Sequence, residues 1–256
     1  MYYNELALFR IRGIDMANDT NPHKEHRDRV RKEFLENGFN DATPPHKIIE
    51  MLLFYSIPRK DTNELAHALL NRFGSIAGIL EATHEELMRV EGIGQNSATL
   101  LKLILPICRY YQNNKISQNT APKTMDSLGE ILIKKHFGFT KEVFAITTFN
   151  NKGHIIAFDI LNSGDVSSVG ISTRSVIEKI IERKAVSAVI SHNHPNGNAL
   201  PSVTDIEMTK RIVKALSHIS VPLLDHIIVT EDDFVSLSQS QQFSSIFKQT
   251  TLDYDR

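Results

Sequence analysis

The chain has 256 residues, 41% hydrophobic and 23% charged, with no tryptophan and a formal net charge of −1; this is ordinary globular composition, enough for one large domain or two modest ones. Near-neutrality leaves no overall field that would draw the protein to nucleic acid or to an anionic membrane. The single cysteine, Cys108, excludes a disulfide framework and any four-cysteine zinc site, and points to a reducing compartment. The start, Met1 to Leu6, lacks the basic-then-apolar pattern of a signal peptide, and no apolar run is long enough to span a bilayer. A soluble, cytoplasmic protein without membrane contact is therefore expected.

Taken in chain order, residues 1–22 are mixed in character and end in Asn18 to Pro22, which reads as a flexible leader. From His23 the pattern turns helical and strongly charged, a solvated face with Val30, Phe34 and Leu35 as a thin apolar stripe. Pro44 and Pro45 open a second helix through Ile48, Ile49, Met51, Leu52 and Leu53. Asn63 to Phe73 spaces Leu65, Leu69 and Leu70 for one face of a third. Glu85 to Val90 and Ser97 to Tyr111 give two more, so residues 23–113 read as an all-helical domain.

Between the last two helices, Leu87 to Lys102 resembles a helix-hairpin-helix motif, with Gly92 and Gly94 flanking Ile93 in a tight turn. Backbone N–H groups in such a turn can hold a DNA phosphate without reading sequence. A Gly-x-Gly between helices is also an ordinary packing turn. Charge does not decide between the two, because residues 1–122 hold 15 Lys or Arg against 15 Asp or Glu.

The polar, Asn- and Gln-rich stretch from Tyr111 to Pro122 marks a domain boundary, with a linker over 114–124. Beyond it the character changes. Ser127 to His136 reads as a helix, Glu142 to Phe149 as a strand, Asn150 to Gly153 as a turn and Ile155 to Ile160 as the hairpin partner. Arg174 to Lys184 is helical, Ala185 to Ile190 a short buried strand with histidines at its end, Asp205 to Ser217 a helix, and His226 to Thr230 a last strand. Strands alternating with helices predict an α/β sandwich over 125–256.

The chemistry concentrates after that buried strand. His192 and His194, two apart on an extended chain, project from one face. Asp205 follows a short loop later. Two imidazoles and a carboxylate suit a zinc ion that keeps one position for water; non-haem iron accepts the same set. Ser202 to Asp205 is also a capping-box signature. The two readings are compatible, since a helix start is a good place to fix a liganding carboxylate.

The stretch His192-Asn193-His194-Pro195 with Gly197, Pro201, Ser202 and Asp205 resembles the JAMM (JAB/MPN) metalloprotease motif. Its spelling, with Leu224 to Ile227 downstream, is similar to the RadC branch of that family, and the helical half is similar to the RadC amino-terminal domain. The resemblance implies an α+β architecture: an all-helical domain followed by a JAB/MPN, cytidine-deaminase-like α/β sandwich. It implies Zn2+ as cofactor, with His192, His194 and Asp205 as ligands, Glu142 as proton acceptor and donor, and Ser202 as a donor to the oxyanion. One departure is that many RadC-like sequences carry an acid where this chain reads Ser172 to Ser175.

Other zinc chemistries fit poorly. A nucleobase deaminase needs a cysteine pair, the helical H-E-x-x-H of other metallopeptidases is absent, and Pro195-Asn196 stands where a metallo-β-lactamase-like nuclease needs Asp-His. The expected function is a zinc-dependent hydrolase of JAMM type, a metallopeptidase or isopeptidase acting on a peptide or protein substrate. The alternative is a DNA-binding accessory protein of DNA repair whose zinc site is structural or vestigial, with Gly92 and Gly94 in the DNA-contacting turn.

Overall fold

The computed structural model describes residues 24–115, 121–163, 172–195 and 197–248. The leader expected over residues 1–22 lies outside them, as does the middle of the expected linker. The chain forms two compact units, one reaching Leu101 and the other starting at Lys102.

The first unit is helical: α1 (Lys24–Asn37), α2 (Pro45–Ser56), α3 (Asn63–Phe73), α4 (Ile76–Glu81), α5 (His84–Met88) and the start of α6 (Gln95–Lys115). Pro45 sits in the first turn of α2, where its missing N–H has no helical acceptor to lose. Thr83 and Glu86 close a reciprocal capping box on α5. Ile49, Leu53, Leu69, Ile79 and Leu87 are fully buried. On α1 the apolar stripe is narrower than its sequence suggests: Val30 is buried, but Leu35 is 81% exposed. Arg27 takes its place on the inner face, donating to the carbonyl oxygens of Ile57, Pro58 and Lys60. The expected solvated helix is thus pinned by one of its own charges. α4 has no counterpart in the sequence expectation.

The second unit contains α7 (Met125–His136), β1 (Val143–Phe149), β2 (Ile155–Ser163), α8 (Thr173–Arg183), β3 (Ser187–Asn193), α9 (Val203–Ser217), β4 (Leu223–Val229), β5 (Phe234–Ser236) and α10 (Ser245–Lys248). The five strands form one mixed sheet in the order β2-β1-β3-β4-β5. β3 and β4 are parallel, the other neighbours antiparallel. A parallel pair needs a crossover, and α9 lies in the connection between β3 and β4. Ser172, at the family departure, caps α8 by accepting from Arg174 N at 3.0 Å.

Strand alternation sorts the core into two layers. Phe144, Ile146, Ala188, Ile190 and Ile228 face α8, α9 and α10, together with Ile212 and Leu216. Phe149, Val189, Ile227 and Val229 face α7, against Leu128 and Leu132. β1, β3 and β4 are buried along nearly all their length, so they read as apolar runs rather than as half-exposed strands. His192 falls on the α9 side by this alternation, and Ser191 on the α7 side.

Candidate metal centre

The centre forms where β3 ends and α9 begins. β1 and β3 pair with Phe144 opposite His192, so the Phe144 ring lies near-parallel to the His192 imidazole, centroids 6.2 Å apart. This apolar backing leaves the imidazole its edges for polar contact. His192 Nε2 and His194 Nε2 lie 2.9 Å apart, and Asp205 Oδ1 is 3.4 Å from His192 Nε2. Among the described residues these three form a group whose potential ligand atoms all lie within 4.8 Å of one another.

Each side chain is aimed by a second contact. His194 Nδ1 is 2.9 Å from the carbonyl oxygen of Asn198; a carbonyl only accepts, so Nδ1 carries the hydrogen and Nε2 presents its lone pair. Asp205 divides its oxygens. Oδ2 accepts from Ser202 N at 2.7 Å and from Ser202 Oγ at 2.6 Å, while Ser202 Oγ accepts from Asp205 N at 3.2 Å. Oδ1 is left facing the imidazoles. The capping box and the convergence on the histidines therefore use different atoms of one carboxylate.

Glu142, the residue before β1, reaches to 3.7 Å from His194 Nε2 with Oε1, and its side chain is 35% exposed. Asn193 holds it there. The Asn193 amide accepts from Val143 N at 2.8 Å and donates to Lys141 O at 3.1 Å, gripping the peptide units on both sides of Glu142. Sequence reasoning assigned no role to Asn193, although its place between the two histidines was a signal.

Behind His192 stand two further residues that sequence reasoning passed over. His192 Nδ1 is 2.8 Å from His226 Nε2, and His226 Nδ1 is 2.6 Å from Thr209 Oγ1. His226 and Thr209 are fully buried. A histidine inside the apolar run of β4 was the available sign. Burial holds the His192 imidazole down to about 4, against the pull of Asp205, with His194 adding to the depression. Burial, then His192 and His194, drives His226 well below its ordinary value. Both rings are neutral near pH 7, the state in which imidazole binds a metal.

The donor set fits a small divalent cation. A tetrahedral site with arms of about 2.0–2.1 Å has edges near 3.3 Å, and the 3.4 Å His192–Asp205 separation matches that. The imidazole nitrogens need open only slightly. An open cleft of about 460 Å³ is lined by Pro195, Gly197, Leu200, Glu231, Asp233 and Val235. Gly92 and Gly94 belong to the first unit, between α5 and α6, and take no part in this centre. No helix among the described residues is long and apolar enough to cross a membrane.

Residues 122–242 match the RadC-like JAB domain family. A UPF0758 protein of Fusobacterium nucleatum subsp. nucleatum is 34% identical over 218 residues, covering 82% of this chain and 94% of that protein.

Proposed function

Because the chain belongs to the RadC-like JAB domain family, we propose that it is a zinc-dependent hydrolase of the JAMM type, cleaving a peptide or isopeptide bond. The observation that supports this best is the common focus of His192 Nε2, His194 Nε2 and Asp205 Oδ1, with the Glu142 carboxylate at its edge. Those three atoms would hold the ion, which supplies Lewis acidity toward water and toward a carbonyl oxygen. Glu142 accepts a proton from the attacking water and returns it to the departing amine, so one carboxylate acts as base and then as acid. As the C–O bond forms, negative charge gathers on the former carbonyl oxygen, and it returns to the carbonyl when the C–N bond breaks and the amine leaves with its proton. Ser202 serves that oxygen by turning its hydroxyl from Asp205 Oδ2. The carboxylate keeps the Ser202 N–H when it does so. The cleft beyond Pro195 seats the substrate chain.

Metal analysis of the purified protein tests the reading. Wild type is expected to carry an equimolar metal ion, and His192→Ala/His194→Ala essentially none. Equal metal content in the two proteins would overturn it, as would a metal-loaded protein that cleaves no peptide or isopeptide-linked substrate.

A second reading, non-sequence-specific DNA contact, is favoured by the turn before α6. Gly92 has φ +88°, a conformation L side chains rarely adopt, and a Cβ at Gly94 would meet nothing within 4 Å. At Gly94 the backbone is open to close approach by a phosphate, while the Cβ position of Gly92 is filled by Leu65 at 2.6 Å. Binding to duplex and branched DNA is expected to weaken steeply with salt; no salt-sensitive binding at low ionic strength removes this reading.

A further inference from the structure

Three hydrogen bonds connect His192 to the backbone of Asp205 through the interior. Thr209 Oγ1 lies 2.6 Å from the Asp205 carbonyl oxygen and 2.6 Å from His226 Nδ1, and His226 Nε2 lies 2.8 Å from His192 Nδ1. The fold brings them together in a specific way. β4 runs parallel to β3 with His226 beside Ile190, α9 carries both Asp205 and Thr209 one turn apart, and all four residues are buried.

Hydrogen accounting gives this chain a direction. The Asp205 carbonyl can only accept, so the one hydroxyl hydrogen of Thr209 goes to it. Thr209 Oγ1 must then accept from His226, which puts the hydrogen of that ring on Nδ1. The His226 ring is fully buried between Thr209 and His192, with no carboxylate of the described residues at either ring nitrogen, and as a neutral imidazole it has one N–H. Its Nε2 is therefore a lone pair and accepts from His192 Nδ1–H. That leaves His192 Nε2 with its lone pair facing His194 and Asp205. The opposite direction would set lone pairs of Thr209 Oγ1 and the Asp205 carbonyl against each other at 2.6 Å in the interior, whereas the lone pairs of His192 Nε2 and His194 Nε2, 2.9 Å apart, are the two that a cation would draw together.

We propose that Thr209 and His226 are positioning residues that lock the His192 tautomer, so that the nitrogen facing the metal centre is always the one able to bind. The inference rests on the metal-centre reading above and adds the residues that keep it competent. Without the Thr209 hydroxyl, His226 is free to carry its hydrogen on Nε2. His192 Nδ1 then becomes the acceptor, and the His192 hydrogen moves to Nε2, where it blocks coordination.

Thr209→Val and Thr209→Ser separate this from simple packing, because Val keeps the buried volume and Ser keeps the hydroxyl. Zn2+ affinity, measured by chelator competition, is expected to fall about 10–100-fold in T209V while T209S stays within about twofold of wild type. Packing alone orders the two the other way, and T209V binding zinc as tightly as T209S overturns the proposal. Should T209V fold poorly, His226→Gln places an amide oxygen where it still accepts from His192 Nδ1, and is expected to retain affinity that His226→Leu loses. Equal affinities in that pair overturn the proposal as well. Nitrogen-15 NMR of the metal-free protein reads the lock directly: His192 is expected in the Nδ1–H form in wild type and T209S, and as a mixture in T209V. A wild-type His192 protonated on Nε2 sinks the proposal even where zinc binds. A wild type that binds no zinc sinks the metal-centre reading instead, and the NMR result still decides the lock.

Discussion

On the α9 face of the sheet, every ring nitrogen of His192 and His226 faces another polar atom, and the chain of contacts ends where His192, His194 and Asp205 meet. On the α7 face, His136 Nε2 meets Ser191 Oγ at 2.9 Å, and His136 Nδ1 finds no hydrogen-bond partner among the described residues. His136 is nearly as buried as His192, 4% against 1% exposed, and its imidazole is held down to about 3 by burial and then by His192, against an opposing pull from the Asn193 side chain. Burial and a depressed imidazole are thus common to both faces. What separates them is convergence: one face aims lone pairs at a common point beside the part-exposed His194, the other closes a pair inside a core of Leu132, Phe158 and Val189. A perturbed histidine by itself marks a buried histidine; the focus marks a site.

The largest effect that would sharpen this contrast belongs to Glu142. Glu142→Gln keeps the shape of the side chain and removes the proposed proton acceptor beside His194, so hydrolysis is expected to drop about 10²–10⁴-fold, with zinc content and melting temperature unchanged. A fall in stability as large as the fall in rate would break the contrast, by making Glu142 structural.

A smaller effect is expected on the opposite face. The folded protein holds the His136 imidazole at about 3, and the ordinary value is 6.5. Between those values the unfolded chain binds more protons than the native one, so the stability contributed by a neutral His136 is whole above pH 6.5 and is lost as pH falls toward 3. In urea titrations of metal-free protein, His136→Gln is expected to flatten that acid limb by at most about 1.4 kcal/mol per pH unit. Zinc affinity is expected to stay where it was. If H136Q instead weakened zinc binding while leaving the acid limb intact, the two faces would not be separate in function.

What the sequence made legible follows from range. His192, His194 and Asp205 stand within one short stretch, and their spacing alone carries the metal hypothesis. The helix over Asn63–Phe73 has the bounds its periodicity predicts, with Leu69 buried as expected and Ala66 beside it. α4 and β5 were missed because six and three residues are too few to show a period. Leu35 was read as inward from its neighbours Val30 and Phe34, but the inner face of α1 is set by the carbonyl oxygens that Arg27 finds beyond α2. Thr209, His226 and Asn193 were illegible as a group for a related reason. Each takes its partner from strand register and crossover packing, at separations of 17, 34 and 50 residues. Glu142 came from family resemblance, and its proximity to His194 depends on the antiparallel pairing of β1 with β3.

The Asn193 amide has a mechanical consequence. Since it clasps the peptide groups flanking Glu142, the Glu142 carboxylate and the strand that carries the imidazoles travel as one rigid part. Sliding β1 against β3 would have to tear that clasp before the alignment could drift. The Asn198 carbonyl, accepting from His194 Nδ1, ties the far side of the centre to the same part.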